Sequence, residues 1–354
     1  MSQVQPTTAD RYQRQTLLPQ IGPSGQRRLA QAKVLVLGCG ALGSVIAEQL
    51  VRAGVGSLTI ADRDIVETSN LQRQVLFDED DAQAGTPKAI AAAKRLARVN
   101  STVRVRPLVV DVHSRNIERV VDVHGSERPD VILDGSDNAE TRYLLNDLAV
   151  KHALPWVYGA CVGTEGRVMT ILPGDGPCLR CIFPSPPAPG ELPTCDTVGV
   201  LGSAAAVVAS LQVAAALRLL LEGRSGDVRL TALDVWTGRF YTVDVREARR
   251  PECRCCGAHG LDFLDAPAPP ATTLCGRGTV QLRPVCQGDG LTLSVVADRL
   301  RSAGAVAVSE YVVRCALHSP AGVSLSVFPD GRVLVHGVAD ESAARSLSAK
   351  LLGT

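Results

Sequence analysis

Short apolar runs alternate with stretches of helical period along the first part of the chain. Lys33–Gly38 (KVLVLG) predicts a strand, Ala41–Ala53 a helix, and Ser57–Asp62 (SLTIAD) a second strand that ends on an Asp. Pro87–Asn100, with Ala- and Arg-rich turns, predicts a helix; Val103–Asp111 and Asp130–Asp134 predict strands, and Ala139–His152 a further helix. Strands alternating with helices imply an α/β fold, a mainly parallel sheet with helices on both faces.

The pattern then changes. Trp156–Ala160 and Arg167–Leu172 read as strands, and Phe183–Cys195 (FPSPPAPGELPTC) as a Pro-rich loop. Val198–Leu221 is apolar and long enough to raise a membrane span, but Gln212 and Arg218 interrupt it and much of it is Ala and Gly, so a buried helix is expected. RLTALDVWTGRFYTVDV follows as a strand pair with a TG turn. The Pro/Ala-rich stretch 264–274 reads as a linker between a large domain (1–263, its N-terminal arm 1–32 partly helical) and a small α+β domain (275–354). In the latter, Thr279–Pro284 and Ala305–Leu317 predict strands and Leu293–Ala303 a helix. Val323–Phe328 and Arg332–His336 predict a hairpin about a PDG turn, and Glu341–Leu352 a closing helix.

Composition narrows the class. The chain has 354 residues, 45% hydrophobic and 3% aromatic, so its core is built from Ala, Val and Leu. A formal net charge of +1 gives no field that would recruit nucleic acid or an anionic membrane. The first residues, MSQVQPTTADRYQRQ, lack a charged start followed by an apolar run, and a cytoplasmic location is expected. In a reducing compartment, closely spaced pairs among the 11 cysteines read as metal ligands or nucleophiles rather than disulfides.

Between the first strand and helix stands a G-x-G-x-x-G loop: Gly38, Gly40 and Gly43, with Ala41 opening the helix. Such a Rossmann-like loop lets backbone amides approach a diphosphate, and Asp62 at the end of the next strand is placed for a ribose hydroxyl. NAD and ATP both fit so far. Asp62–Phe77 (DRDIVETSNLQRQVLF) separates them: Asn70 and Arg73 supply an amide and a guanidinium just beyond the ribose-binding Asp, as cleavage of ATP between its α- and β-phosphates requires. Lys88 opens the following helix and adds a second cation. Asp137, just past a strand end in DGSDN, suits Mg²⁺. Asp64, Ser69, Leu71, Gln72 and Asn138 flank these positions and complete the expected nucleotide contacts.

With these pieces in order the chain resembles the ThiF/MoeB/HesA family, bacterial relatives of ubiquitin-activating enzymes. The matching segments are RYQRQTLLPQIG (Arg11–Gly22), VLVLGCGALGS, Asp62 and Asp64, SNLQRQ (Ser69–Gln74), GTPKA (Gly85–Ala89), DGSDN and PTCDTVGVLG (Pro193–Gly202), covering about residues 10–262. The resemblance implies adenylation of the C-terminal Gly-Gly carboxylate of a small ubiquitin-like (β-grasp) sulfur-carrier protein, preparing it for thiocarboxylation in molybdopterin, thiamin, cysteine or thio-tRNA synthesis. A sulfurtransferase or cysteine desulfurase is then a further expected partner. It also implies a homodimer, with Arg14 reaching the neighbouring subunit's ATP site.

Cys178, Cys181, Cys253 and Cys256 form a CxxC…CxxC set suited to tetrahedral Zn²⁺, as in the family; Cys255 is an extra thiol with no clear place. Cys195, ahead of the apolar helix, is a candidate nucleophile beside the phosphate site, and the resemblance implies a covalent carrier bond there in some relatives. The 6 scattered His support no His-based site. The last eighty or so residues are too short for the rhodanese domain of longer relatives, although VCQGDGL (Val285–Leu291) carries a Cys before Gly residues. Two alternatives stand beside carrier adenylation: adenylation of a non-protein carboxylate such as a modified tRNA base, and an NAD-dependent oxidoreductase. The second leaves SNLQRQ, Lys88 and the four thiols without a task.

Overall fold

The computed structural model describes residues 11–187, 195–225, 228–267, 271–274, 278–283 and 292–353, which form two compact units. The larger holds an eight-stranded sheet: β1 (Lys33–Leu37), β2 (Ser57–Asp62), β3 (Arg104–Val109), β4 (Val131–Asp134), β5 (Trp156–Val162), β6 (Glu165–Ile171), β7 (Arg229–Asp234) and β8 (Arg239–Asp244). Their order is β3-β2-β1-β4-β5-β6-β7-β8, parallel from β3 to β5 and antiparallel from there to β8.

β1 and β4 read as continuous apolar runs because both of their faces are covered. Val34 and Val36 meet the helix Ala41–Ala53 on one side; Leu35 and Leu37 meet the core beneath the helix Ala139–His152 on the other. Ile46 and Leu50 are fully buried, each contributing roughly 1.5–3 kcal/mol. The helix Ala41–Ala53 stops at Gly54, whose φ of 81° sets a left-handed cap and whose N–H donates to the carbonyls of Leu50 and Val51.

The apolar stretch forms the helix Gly202–Glu222, the one candidate by length and apolarity for a membrane span among the described residues. Here it packs over β4, β5 and β6 and against Ala41–Ala53. β4 and β5 pair only at Ile132↔Trp156 and Leu133↔Val157 before parting. Gln212, the polar interruption in the helix, is wholly buried there, and its Nε2 donates to the carbonyls of Asp134 (2.8 Å) and Val157 (3.2 Å). Carbonyls freed at the split are thereby satisfied.

The smaller unit contains β9 (Ala271–Leu274), β10 (Thr279–Leu282), β11 (Gly304–Val308), β12 (Val313–Leu317), β13 (Ser324–Val327) and β14 (Val333–His336), ordered β11-β12-β13-β14-β10-β9. The helices Leu293–Leu300 and Glu341–Leu352 cover one face. Two expectations change. The single strand expected over Ala305–Leu317 is a hairpin, β11 and β12, closed where the Ser309 hydroxyl and amide bond to Val312. Part of the stretch read as linker, β9, pairs antiparallel with β10. Positions 268–270 of that stretch, and the VCQGDGL segment with Cys286, lie outside the described residues, as does Cys275.

Candidate active site

The glycine loop follows from backbone sterics. Gly38 has φ of 90°, and a Cβ there would lie 2.7 Å from Gly135 O. A Cβ on Gly43 would overlap Gly38 O, so the loop, the helix start and the end of β4 are in contact. The first-turn amides of the helix Ala41–Ala53 lack intrahelical acceptors, which makes its start a phosphate-binding position.

Asp62 closes β2 beside this loop. Its Oδ2 accepts from Cys39 N (2.6 Å) and its Oδ1 from Asp64 N (2.7 Å). Burial raises its pKa; Lys88 opposes the shift without cancelling it. Lys88 is 6% exposed and opens the helix Lys88–Val99, where a cation meets the positive end of the helix dipole. Its Nζ donates to Asp64 Oδ2 at 2.9 Å. Burial works against the ammonium, but the Asp64 and Asp62 carboxylates outweigh it and hold its pKa above the ordinary value. A buried cation kept at an unfavourable helix end breaks a local rule, and such conflicts mark functional sites.

SNLQRQ forms a 3-10 turn (Thr68–Asn70) continued by turns. Asn70 is buried; its Oδ1 accepts from Glu67 N and its Nδ2 lies 3.4 Å from Ser69 Oγ. Arg73, partly exposed, donates from Nη1 to Ser69 O. Leu71 is half-buried, Ser69 and Gln72 exposed.

Asp137 is exposed in the turn after β4 and contributes to holding Lys88, Arg63 and Arg142 charged, so these four share one electrostatic neighbourhood. Asn138 uses its Oδ1 to cap the next helix through Thr141 N (2.8 Å). Arg14, on the arm helix Gln13–Thr16, is exposed, and its side chain has no hydrogen-bond partner among the described residues. The arm itself is fastened by Tyr12, whose hydroxyl accepts from Asn100 Nδ2 (2.8 Å), and by Gln15 on Ala53 O. Cys195 begins the short helix Cys195–Val198, and its side chain lies outside the described residues.

Two residues of this region went unread in the sequence. Arg142 donates from Nε to Asp134 Oδ2 (3.0 Å) and from Nη2 to Ser136 O (2.7 Å), tying the turn that carries Asp137. Arg63 pairs with Asp111 (2.9 Å) next to Asp64. Arg142's partner lies 8 positions away and Arg63's 48, and the two share no motif spacing.

The four cysteines meet as their spacing predicts. Cys178, Cys181, Cys253 and Cys256 are all buried, with sulfurs within 4.8 Å of one another. Cys178–Cys253 (3.6 Å), Cys181–Cys256 (3.5 Å) and Cys178–Cys181 (4.0 Å) bracket the ~3.8 Å edge of a tetrahedron with metal–sulfur bonds of about 2.3 Å. Such a cluster could hold a soft metal ion. Cys255, wholly buried and bonded on one side to Cys178, donates to Asp147 Oδ1 (3.2 Å) and accepts from Asn146 Nδ2 (3.3 Å). Asn146 Oδ1 accepts in turn from Leu179 N, so the fifth thiol joins the helix Ala139–His152 to the cluster.

Residues 12–255 match the ThiF family. The chain belongs to the ThiF family. This ThiF-family chain is 42% identical over 345 residues to the sulfur carrier protein ThiS adenylyltransferase of Bacillus subtilis, spanning 97% of this chain and 99% of that protein. It is 44% identical over 260 residues to the SAMP-activating enzyme E1 of Haloferax volcanii, spanning 73% of this chain and 93% of that one. Among solved structures, E. coli MccB with MccA-N7isoASN superposes at a TM-score of 0.60 with 22% identity, over 71% of this chain and 75% of that chain, a likeness of fold.

Proposed function

We propose that this ThiF-family chain is an ATP-dependent adenylyltransferase acting on the C-terminal Gly-Gly carboxylate of a ubiquitin-like sulfur carrier. The observation that carries this reading is Lys88: a buried ammonium held by Asp64 (2.9 Å) and within electrostatic reach of Asp62 and of Cys39 in the glycine loop. A site that only holds a dinucleotide has no need to keep a cation buried there.

The triphosphate lies over Gly38–Gly43 with the ribose on Asp62. The carrier's carboxylate, ionised at neutral pH (free α-carboxyl pKa of roughly 3.5), attacks the α-phosphate. The P–O bond to the β-phosphate breaks, and pyrophosphate leaves with the electron pair. Lys88, Arg73 and Asn70 stabilise the charge on the phosphorane and the leaving group, joined by Arg14 from a second copy in a homodimer. Asp137 would hold Mg²⁺, which supplies charge neutralisation to the phosphates. Cys178, Cys181, Cys253 and Cys256 would hold Zn²⁺, and four thiolate ligands would give it a structural rather than a catalytic part. A sulfurtransferase or cysteine desulfurase then supplies a persulfide whose terminal sulfur attacks the acyl carbon and displaces AMP, and a second thiol cleaves the resulting acyl disulfide, leaving the thiocarboxylate and a disulfide.

The carrier docks on β8. This edge strand is exposed along its length, and Trp236, Phe240, Tyr241 and Val243 are each more than half exposed in a chain with only 2 Trp and 5 Tyr. An edge strand that pairs with no further strand among the described residues and carries apolar side chains suits the sheet of a β-grasp protein. The B. subtilis relative, which matches both units, is named for ThiS, and this favours a ThiS-type carrier. Incubation with MgATP and such a carrier, followed by mass spectrometry, should find AMP on the carrier's C-terminus. It should find none on a carrier lacking its terminal Gly. Absence of an adduct on every β-grasp carrier offered would overturn the reading.

A further inference from the structure

Four thiols whose sulfurs lie within 4.8 Å of one another must each be aimed, and the groups bonded to metal ligands do the aiming. On the Cys181 side the backbone serves: Arg250 N donates to the Cys181 sulfur at 3.5 Å. On the Cys178 side the support comes from a distant helix. Asn146 stands midway along Ala139–His152 and is wholly buried, as are its neighbours Leu145 and Leu148. An apolar residue would serve packing there, and an enclosed carboxamide is costly unless both of its ends are bonded. Both are. Oδ1 accepts from Leu179 N at 2.8 Å, the amide directly after Cys178. Leu179 opens the short helix Leu179–Ile182, so that amide has no intrahelical acceptor. Nδ2 donates to Cys255 Sγ at 3.3 Å. Cys255 is held in addition by Asp147 Oδ1 (3.2 Å), and it is bonded to Cys178.

We propose that Asn146 is a positioning residue of the metal site, orienting the ligand Cys178 through Leu179 N on one side and the Cys255 thiol on the other. The first arm fixes the backbone from which the Cys178 side chain departs. The second fixes the thiol that lies against its sulfur. Loss of Asn146 leaves all four ligands in the chain but lets Cys178 turn, so the metal binds more weakly at the same stoichiometry. The inference rests on the four thiols being a zinc site and is independent of the adenylation reading.

Asn146→Leu in the full chain tests it, since Leu is close in size and removes both polar ends. The zinc Kd, measured by competition with a chromophoric chelator, should rise about 10- to 100-fold, the usual effect of losing a partner of a metal ligand. Metal analysis at saturating zinc should still find one ion per chain. With Co²⁺ in place of zinc, the thiolate-to-cobalt and d–d bands should shift, because one sulfur is differently placed. A residue that only packs would lower Tm and leave both the zinc Kd and the cobalt spectrum as in wild type. A Kd within about twofold of wild type, well under that usual effect, with an unchanged spectrum would overturn the proposal. Should Asn146→Leu fail to fold, Cys255→Ala decides, because it removes the second arm alone. Its zinc Kd should rise at least about threefold at one ion per chain, and a Kd within about twofold of wild type would overturn the proposal. If wild type takes up zinc and both variants match it, only this inference falls; if wild type takes up neither zinc nor cobalt, the metal reading falls and takes this inference with it.

Discussion

At the scale of single residues, Lys88 and Arg142 carry opposite kinds of consequence. Lys88→Met removes a cation that acts on the transition state, so kcat for carrier adenylation should fall by roughly 10²–10³ with carrier KM little changed. Its pKa is raised in the fold, so the stability it adds is complete below the unfolded value of about 10.4 and is lost only as pH climbs past that value. A rate profile from pH 7 to 9 should therefore show no limb that disappears in Lys88→Met. Arg142 works through its neighbours: it neutralises Asp134, which is wholly buried, and binds Ser136 O next to Asp137. Arg142→Met should cost about 3–5 kcal/mol in urea unfolding, because a buried carboxylate is left unpaired, and Arg142→Met with Asp134→Asn should recover part of that. It should also raise the Mg²⁺ concentration needed for half-maximal rate, whereas a purely structural role would leave that value unchanged. Lys88 was legible because a motif spacing points to it; Arg142, Arg63 and Asn146 were not, because their importance lies in contacts that only the folded chain makes.

At the scale of elements, the four-thiol cluster and the β7–β8 hairpin are the parts most open to test. Cys178→Ser should abolish stoichiometric zinc by metal analysis and lower Tm. Cys255→Ala should keep one zinc per chain, because that thiol is held by Asn146 and Asp147 and is not among the four sulfurs that lie within 4.8 Å of one another. Phe240→Asp on β8 should raise carrier KM about tenfold or more while ATP KM holds, if an apolar contact of a few kcal/mol is lost there. The strand–helix alternation was readable because β1 and β4 are apolar on both faces and are followed by turn residues. The hairpin at β11–β12 was not, because Ser309–Val312 contains neither Gly nor Pro and the apolar alternation runs on through it. CxxC spacing named the four ligands but was silent on Cys255, whose direction is set by Asn146 and Asp147 on a distant helix.

At the scale of the whole molecule, the account joins one adenylation unit to a smaller antiparallel unit and assigns the chemistry to the first. If Arg14 acts across a dimer, Arg14→Ala and Arg73→Ala proteins should each be nearly inactive. Mixed after unfolding and refolding together, they should regain about a quarter of wild-type activity, since half the dimers are mixed and each holds one intact site. The parallel strands and the β7–β8 hairpin follow from periodicity, glycine placement and the TG turn; the antiparallel pairing of β5 with β6 and of β6 with β7, and the exposed β8 edge, do not, because register and edge exposure depend on which strands meet. The central claim is that this crevice breaks ATP for a carboxylate brought by a carrier. The most direct test is exchange of labelled pyrophosphate into ATP, with purified protein and Mg²⁺, in the presence and absence of a Gly-Gly-ended carrier. The account predicts exchange that requires the carrier and is lost in Arg73→Ala; no exchange with any such carrier, or exchange indifferent to its presence, would contradict it.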